Sequence, residues 1–438
     1  MKLSLLVAAA SFSSLSYGAG FAIQEQSVTG LGRAFAGSAA VAEDASTIFF
    51  NPAGLTYLSH SELAVGLNFI APQTEFRDEG SSLPIALGGG ALSGSDSEDG
   101  NKSALVPNFY FAYKFNDKAV AGLGINAPFG LVTKYDDDWK GRYHAIESDL
   151  KTVNINPSFA FKPTEKLSLG FGVSVQYIDL KLTQAVDFGA ACAVAAVGAC
   201  ATPQGFDGKA KLTADDWSWG YNLGLIFQAT EATRLGLSYR SKVSHHLTGE
   251  GKFTIPDNAF VQGVAAAGGF TNNSISGDVD LPESVSFAIH HQVNSKWTIM
   301  ADATWTRWDR FQDLTINSAT GNRLNSSKEE KWDNTMRYGI GADYKHDDKW
   351  TFRGGIAYDE TPVSSEYRTA RIPDNDRKWV SLGASYKMRD NLTIDAGYSH
   401  LFVSDPKIDE TDSNGYSLTG KYDASVDLLG IQVRWLLL

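Results

Sequence analysis

The sequence has few cysteines, a shortage of positive charge and no long apolar run beyond its start, and each shortage excludes a class of protein. The 2 cysteines have no Cys or His partners nearby at ligand spacing, which argues against a metal site. Acidic residues outnumber basic ones by 50 to 38, and the net charge of -12 disfavours nucleic acid as a partner. Outside the N-terminus no apolar run approaches the roughly 20 residues of a membrane helix, so a helical membrane protein is excluded.

The sequence also lacks the motifs of the common enzyme classes. It has no G-x-S-x-G elbow, no H-E-x-x-H motif and no Gly-rich phosphate loop ending in Lys-Ser/Thr. The adjacent pairs His245–His246 and His290–His291 should point to opposite faces of a strand, which suits a shared metal poorly. We therefore expect no enzyme activity, no cofactor and no metal site.

The first 18 residues predict export. An apolar stretch over 3–10 is followed by small residues at Ser16 and Gly18, the −3 and −1 positions of a cleavage site after Gly18. These features are typical of a secretory signal peptide; the alternative is a short buried N-terminal helix. In an oxidising compartment Cys192 and Cys200, eight residues apart, would favour a local disulfide.

From residue 61 onward, apolar residues alternate with small or polar ones. Between 167 and 177 the odd positions are Leu, Phe, Val or Tyr, and the even positions are Ser, Gly or Gln. Successive strand side chains point to opposite faces, so each segment has one apolar face and one mostly small or polar face. Many segments begin or end with Trp or Tyr, as at Trp297 and Tyr358, which is typical of the aromatic girdle of a membrane barrel.

We count fourteen such segments, an even number, as a closed barrel in a bacterial outer membrane requires. Their approximate bounds are 62–70, 108–115, 119–126, 152–161, 167–182, 215–227, 234–248, 284–293, 297–305, 337–345, 350–358, 379–386, 392–399 and 427–437. The links between them alternate between short and long, which puts tight turns at the periplasmic rim and long loops outside. We therefore predict an all-β fold: a 14-stranded antiparallel transmembrane β-barrel over residues 61–438, in the outer membrane of a Gram-negative bacterium.

Residues 19–60, which we call the hatch, do not alternate and precede the first strand. They form a Gly- and Ala-rich stretch with few charges. Fourteen strands enclose a lumen too wide for wall side chains to fill, so we expect this segment to occupy it as a plug. The glycines from Gly30 to Gly37 suggest a dinucleotide loop only weakly, because the spacing is wrong and no strand precedes them. Close packing against a Gly- and Ser-lined wall explains the small residues better.

Short motifs in the hatch and in the last third of the chain point to a known family. They are Ala19-Gly20-Phe21, Gly30-Leu31-Gly32-Arg33-Ala34, Ala42-Glu43-Asp44-Ala45, Asn51-Pro52-Ala53, Leu281-Pro282-Glu283, Trp350-Thr351-Phe352-Arg353, Tyr358-Asp359-Glu360-Thr361-Pro362 and Ile372-Pro373-Asp374-Asn375-Asp376-Arg377. On these motifs the chain resembles the FadL family of outer-membrane transporters for hydrophobic compounds. The resemblance implies a fourteen-stranded barrel with an N-terminal hatch. It also implies import of long-chain fatty acids or aromatic hydrocarbons, with sideways release through a gap beside a kinked third strand.

The third strand itself indicates a gap. It ends in a run that contains Gly122, Gly124, Pro128, Phe129 and Gly130. Pro128 has no backbone N–H to give to a neighbouring strand, and the glycines permit a bend. We interpret the run as a bulge whose glycines keep an opening clear, through which an apolar ligand reaches lipid without crossing water. The alternative is that Pro128 merely ends the strand at the rim.

Two external loops are more apolar than loops facing water normally are. Residues 189–201 are mostly Gly, Ala, Val and Cys, and 260–270 is another small apolar run. Apolar surface here suggests a site that collects hydrophobic molecules. The alternative is a lid in which the two segments pack on each other, and the two interpretations are compatible.

Recognition of an acid head group would require a basic residue near the apolar channel. The resemblance implies an interior Arg after strand five and a Lys before strand ten. These positions are Gln184 and Lys328 here, and Asp359 matches an acidic partner at the end of strand eleven. The glutamine departs from the family pattern, and Lys328 is equally well explained as a solvated loop charge. A neutral hydrocarbon substrate therefore stays open.

We predict passive import of hydrophobic small molecules by a monomer whose partners are the apolar ligand and the lipid of the outer membrane. The ligand would collect on the outer loops, enter an apolar pocket, and leave sideways past the third strand once the hatch moves. A general porin for small polar solutes is the main alternative and predicts an open, charged lumen. An outer-membrane lipid hydrolase would need a Ser/His constellation that the sequence does not show.

Overall fold

Fourteen long strands form the wall of the protein in the structure, a computed structural model that describes residues 19–100, 102–319 and 323–437. The predicted signal peptide over 1–18 lies outside the described residues. In chain order the wall strands are β1 (Ser61–Asp78), β2 (Ala104–Asn116), β3 (Ala119–Asn126, continued by Gly130–Lys134), β4 (Glu147–Thr164), β5 (Leu167–Asp187), β6 (Asp207–Gln228), β7 (Thr233–Arg240 and Val243–Thr254), β8 (Asn273–Leu281 and Ser284–Gln292), β9 (Trp297–Thr306), β10 (Thr335–Lys345), β11 (Trp350–Asp359), β12 (Arg377–Arg389), β13 (Leu392–Val403) and β14 (Ser417–Leu437).

Short elements occupy the hatch and the external loops. The helices are α1 (Val28–Leu31), α2 (Ser38–Val41), α3 (Thr47–Phe50), α4 (Phe188–Val194) and α5 (Ala259–Ala267), with 3₁₀ turns at Pro52–Tyr57, Ile85–Leu87 and Trp308–Arg310. Short strands in the external loops are Ser97–Asp99, Asp313–Ser318, Ser326–Glu329 and Lys407–Thr411. In the described part of the chain, no helix is long and apolar enough to cross a membrane.

The barrel closes through a continuous antiparallel ladder between its first and last strands. β1 and β14 pair from Ser61 with Leu437 to Asp78 with Gly420. Every wall strand pairs in antiparallel fashion with its neighbours in sequence, so the predicted 14-stranded barrel is confirmed. The predicted segments coincide with the wall strands. Several of these strands extend further toward the external loops than the stretch of alternating apolar residues from which they were predicted. β6, for example, begins at Asp207, where polar residues continue the ladder beyond the apolar band.

The last strand shows which face meets the membrane. The alternation in the sequence predicts that its odd-numbered residues from 429 to 437 face lipid, with Gln432 and Arg434 facing inward. The predicted outward residues are 40% to 58% exposed; they are Leu429, Ile431, Val433, Trp435 and Leu437. Gln432 between them is 1% exposed, and Arg434 makes hydrogen bonds to Asp395 at 2.7 and 2.8 Å. The predicted orientation of β14 is therefore confirmed. In the described residues the large exposed apolar side chains of the strands form the lipid-facing band that such a barrel requires.

The hatch lies against the inner face of the wall. α1 contacts β12, β13 and β14, α2 contacts β7, β8 and β9, and the turn at Pro52–Tyr57 contacts β3 to β6. The wall comes so close at Gly224 and Gly355 that a Cβ atom there would collide with Asn51 and with the Arg33 carbonyl. The small residues of wall and hatch thus permit backbone-to-backbone packing, as the sequence suggested.

Replacing Ile431 with lysine should lower the free energy of unfolding by about 2–4 kcal/mol, because it puts a cation on the lipid face away from the membrane interfaces. Ile431 is 56% exposed and pairs with Leu67 and Ala396. The measurement is guanidinium unfolding in lipid vesicles, followed by tryptophan fluorescence. Trp435→Lys is the matched control: it lies nearer the strand end, where lysine reaches the interface, and should cost less. An equal cost at both positions would contradict the assigned depth.

Candidate ligand pocket and lateral opening

Asn51 ties the hatch to the wall. Its side-chain amide donates to the carbonyls of Leu225 and Leu237, on β6 and β7, at 3.1 and 3.3 Å, and to that of Ala39 at 2.6 Å. Its Oδ1 accepts the Ala53 N–H at 3.0 Å and so begins the turn that contains Pro52. Asn and Pro both favour turn geometry, so the sequence predicts that Asn51 and Pro52 fix a turn. The structure has this turn and adds a wall contact that the sequence did not indicate.

Buried ion pairs join the hatch to the wall. The Arg33 Nη1 lies 3.0 Å from the Glu43 Oε2 and 2.8 Å from the Asp343 Oδ2 on β10. Arg353 on β11 also pairs with Glu43, and Arg434 on β14 lies 3.5 Å from it. Charged groups at this level are therefore paired across the lumen. The open, charged lumen expected of a general porin is not favoured.

The N-terminal part of the hatch fills an aromatic pocket. Phe21 is 2% exposed, and its ring centroid lies 4.8 Å from Trp308, 5.4 Å from Trp332, 5.5 Å from Phe311 and 6.1 Å from Phe129. The rings belong to a buried apolar cluster with members on β3 to β5, β7 and β8 and in the external loops. The hatch therefore places the Phe21 side chain in an apolar pocket that lies at the outer end of the barrel.

The residue before Phe21 must lack a side chain and adopt a left-handed backbone conformation. Gly20 has a φ of 65°, and a Cβ atom on it would lie 2.6 Å from the Trp332 ring. Its backbone N–H donates to the Asp374 Oδ2 at 2.8 Å, and Asp374 pairs with Arg377. This conformation turns Phe21 into the pocket.

The same N-terminal segment completes the broken third strand. β3 leaves its regular course after Asn126 and resumes at Gly130. Across this break the Ile23 N–H donates to the Pro128 carbonyl at 2.8 Å, and the Gly130 N–H donates to the Phe21 carbonyl at 2.9 Å. Residues 21–23 therefore act as a short added strand on the inner side of the kink.

The kink separates β3 from β2. In the described residues, their ladder ends at Phe109 with Ile125, although β2 continues to pair with β1 as far as Ala104. Inside this edge, Ala104 and Val106 belong to a buried apolar cluster that also contains Ile23. The wall thus carries an unpaired edge that is lined on its inner side by apolar groups.

Two of the glycines predicted to keep this opening clear lie elsewhere. A Cβ atom on Gly122 would lie 2.7 Å from the Ile48 Cδ1, and one on Gly124 would lie 3.1 Å from the Ile48 Cγ2. Both glycines face the hatch, so they make room for α3 rather than for the opening, and that part of the prediction is wrong. Pro128, Phe129 and Gly130 do lie at the break. Spacing along a strand identifies the face of a glycine but not what covers it.

The proposed head-group positions lie in two places. The Gln184 Oε1 accepts a hydrogen bond from Arg371 at 2.7 Å, and Lys328 lies 2.8 Å from Glu410, which also accepts the Ala370 N–H at 3.3 Å. Gln184 and Lys328 thus belong to one external cluster, joined through the loop that carries residues 370 and 371.

Asp359 lies apart from that cluster. It is 3% exposed, pairs across the ladder with Arg337, and accepts a hydrogen bond from the backbone of Ala19. It therefore faces the start of the hatch. Within the described ranges, no group of three or more His, Cys, Asp and Glu is placed to hold a metal ion.

The two apolar external loops form a lid. Cys192 and Cys200 are joined by a disulfide, and Cys192 on α4 packs with Val261 and Ala265 on α5 in one buried cluster. Val194 remains 84% exposed and Phe260 55% exposed at its surface. The structure therefore combines a packed lid with an apolar outer surface.

Sequence reasoning missed several residues of the pocket. Phe21 was noted only as part of a motif, and Trp308, Trp332 and Arg371 were not singled out. The available signal was the position of two tryptophans in a long external loop, away from the girdle positions. Arg371 had no signal, because only the fold brings it to Gln184.

Comparison with known proteins identifies a family whose model matches nearly the whole length of this chain. Residues 9–436 match the family model described as "Outer membrane protein transport protein (OMPP1/FadL/TodX)". The long-chain fatty acid transport protein of Salmonella typhi is 32% identical over 417 residues, 93% of each chain. Outer membrane protein P1 of Haemophilus influenzae is 32% identical over 404 residues, 87% of this chain and 86% of that one.

Solved structures agree with the described fold. A Pseudomonas aeruginosa FadL homologue superposes with a TM-score of 0.88 at 28% identity and covers 95% of this chain and 99% of that one. The toluene transporter TodX of P. putida gives a TM-score of 0.65 at 17% identity, over 90% of this chain and 94% of that one, which shows the fold alone. The chain belongs to the FadL family of outer-membrane transport proteins.

Proposed function

We propose that this chain imports hydrophobic small molecules across the outer membrane by passive diffusion and releases them sideways into the bilayer. The family membership establishes an outer-membrane transport protein, and relatives are named for long-chain fatty acids and for toluene. The ligand would collect on the apolar lid, enter the pocket occupied by Phe21, and leave between β2 and β3.

One observation carries this proposal: the segment that fills the pocket also holds the kinked strand. The Phe21 side chain lies among the pocket rings, while its carbonyl accepts the Gly130 N–H at 2.9 Å. A ligand that displaces Phe21 must therefore disturb the hydrogen bonds across the break in β3. Pocket occupancy and the state of the wall are coupled through the same three residues.

The apolar path inside the wall supports sideways release. The pocket cluster contains Phe129 and Leu131, and the neighbouring cluster contains Val132 and Val106 beside the unpaired edge of β2. A ligand moving along these side chains stays in contact with apolar groups until it reaches lipid. The periplasmic route would instead take it past Arg33 and its ion pairs, where desolvating charge is costly.

Closing the edge should block uptake and spare binding. Continued register would place Pro107 opposite Ala127, so cysteines at these two positions are to be bridged by a bifunctional, thiol-reactive methanethiosulfonate, whose disulfides a reductant cleaves again. We expect uptake of a labelled hydrophobic substrate by intact cells to fall at least tenfold, while binding to the purified protein stays within twofold; these sizes are rough, one tenfold step being about 1.4 kcal/mol.

The matched control joins the same two strands where the ladder is intact. Cysteines at Tyr113 and Ala121, which pair directly, should leave uptake unchanged when bridged. Reduction should restore uptake in the Pro107/Ala127 variant. Full uptake through a bridged Pro107/Ala127 edge would refute sideways release and leave passage through the hatch.

Deleting residues 21–58 should convert the protein into an open channel, because hatch side chains and ion pairs fill the lumen in the described structure. We expect single-channel conductance in planar bilayers to rise by roughly an order of magnitude, since large barrels without plugs leave an aqueous channel. A change in electrophoretic mobility on heating the sample checks that the shortened barrel is folded. Unchanged conductance of a folded deletion variant would show that the hatch does not close the pore.

A further inference from the structure

We propose that Arg371 selects acidic amphiphiles by binding their head group, and so replaces the basic side chain that is missing at position 184. This inference rests on the proposed function and narrows its substrate class to molecules with an anionic head and an apolar tail. The basic group reaches the site from the loop between β11 and β12 rather than from β5.

Arg371 is held at the outer end of two inward-facing rows of side chains. Its Nη2 donates to the Gln184 Oε1 at 2.7 Å, and its Nη1 donates to the Ser148 Oγ at 3.1 Å and to the Glu147 carbonyl at 3.5 Å. These partners lie on β5 and β4. A carboxylate could take the place of the neutral Gln184 acceptor and form the stronger, charge-assisted hydrogen bond.

An apolar wall runs inward from this guanidinium. Below Gln184 on β5 the inward residues are Leu182, Leu180 and Ile178, and Leu150 on β4 pairs with Leu180. The rise of a strand puts residue 178 about 20 Å from residue 184, comparable to an extended long-chain acyl group. Ile372, next to Arg371, belongs to the same cluster as Phe21. A tail anchored at Arg371 would therefore end among the rings that Phe21 now occupies.

The net charge of the groups around Arg371 is positive near pH 7, which favours binding of an anion. Burial raises the pKa of Glu330 to about 8, and the nearby Glu410 carboxylate adds to the rise while Lys328 and Arg371 oppose it. Burial also raises the pKa of Glu410, but His144 and Lys328 outweigh it and hold that pKa at about 2. Near pH 7 the cluster therefore sets the cations Arg371 and Lys328 against one ionised carboxylate.

Gln184 takes on a different meaning in this arrangement. Taken alone, the glutamine means that the basic side chain expected at position 184 is missing. As a hydrogen-bond partner of Arg371, however, the neutral amide orients the guanidinium without cancelling its positive charge. A carboxylate at 184 would have formed an ion pair and closed the site to anions. An amide leaves the positive charge available.

Binding measurements with two probes test the assignment. Oleate and oleyl alcohol share an apolar tail and differ in head charge, and each is titrated at pH 7 into the purified protein in detergent. Arg371→Ala should weaken oleate binding roughly ten- to a hundred-fold, the loss of a charge-assisted hydrogen bond, and change oleyl alcohol binding less than twofold. Arg77→Ala, an exposed arginine of the external rim, is the matched control and should change neither.

A relocation variant separates head-group binding from a structural role. In Gln184→Arg/Arg371→Gln the cation returns to β5, and oleate affinity should recover to within a few-fold of the starting protein. Loss of both probes in folded Arg371→Ala, together with no recovery in the relocation variant, would show that Arg371 only supports the loop. Unchanged oleate binding in Arg371→Ala would overturn the proposal and leave the general import function intact. Failure of the unaltered protein to bind either probe would instead count against the import function.

The pH dependence gives an independent readout. Glu330 ionises as the pH rises through about 8, and the added negative charge opposes an anionic ligand. Affinity for an alkyl sulfonate, whose own charge does not titrate, should therefore fall between pH 7 and pH 9. In Glu330→Gln it should stay constant. An equal fall in affinity in both proteins would show that Glu330 does not influence the bound anion.

Discussion

Closure of the barrel is the constraint on which the rest of the structure depends. A strand in lipid has no water to satisfy its N–H and C=O groups, so the ladder must continue around the whole wall. The β1–β14 ladder provides this closure over the full length of β1. Fourteen strands, however, enclose more space than inward side chains fill. The wall therefore creates the need for a separate segment in the lumen, and the hatch meets it.

That need explains how the hatch is built. A segment packed against a wall on every side must bury many backbone groups, and each of them requires a partner. Small residues on both surfaces allow the approach, Asn51 donates to wall carbonyls, and Arg33 and Glu43 carry the ion pairs. These polar contacts hold the hatch in one orientation, which apolar packing alone specifies less well.

The kink in β3 interrupts the ladder between β2 and β3 in the described wall. Its backbone groups do not remain unpaired, because residues 21–23 supply hydrogen bonds from the inner side. A local strand that is not part of the wall can leave more easily than a wall strand, since it lacks a second neighbour in the ladder. In the proposed route, the segment that would have to leave for the wall to open is therefore the one that carries Phe21 into the pocket.

The strands, their number and the lipid-facing residues of β14 could be predicted from the sequence because each depends on local alternation and on turn length. The same reasoning placed Gly122 and Gly124 at the opening, and it failed because Ile48, far away in sequence, covers them. It could not find the pocket rings or Arg371, since these come from loops whose course is set by tertiary contacts. Periodicity reports which face a residue occupies; it does not report what lies opposite.

The head-group role proposed for Arg371 illustrates why a binding site is harder to predict than the fold that carries it. A strand position is fixed by the ladder, and replacing Gln184 with another polar residue does not move the backbone. A head group, however, responds to charge at a point in space, and several loops meet at the outer end of the pocket. The cation can therefore be supplied from a different loop while the wall stays unchanged. On that proposal the substrate class follows from the sum of charges around the pocket, with Lys328, Glu410 and Glu330 included, rather than from the residue type at one aligned position.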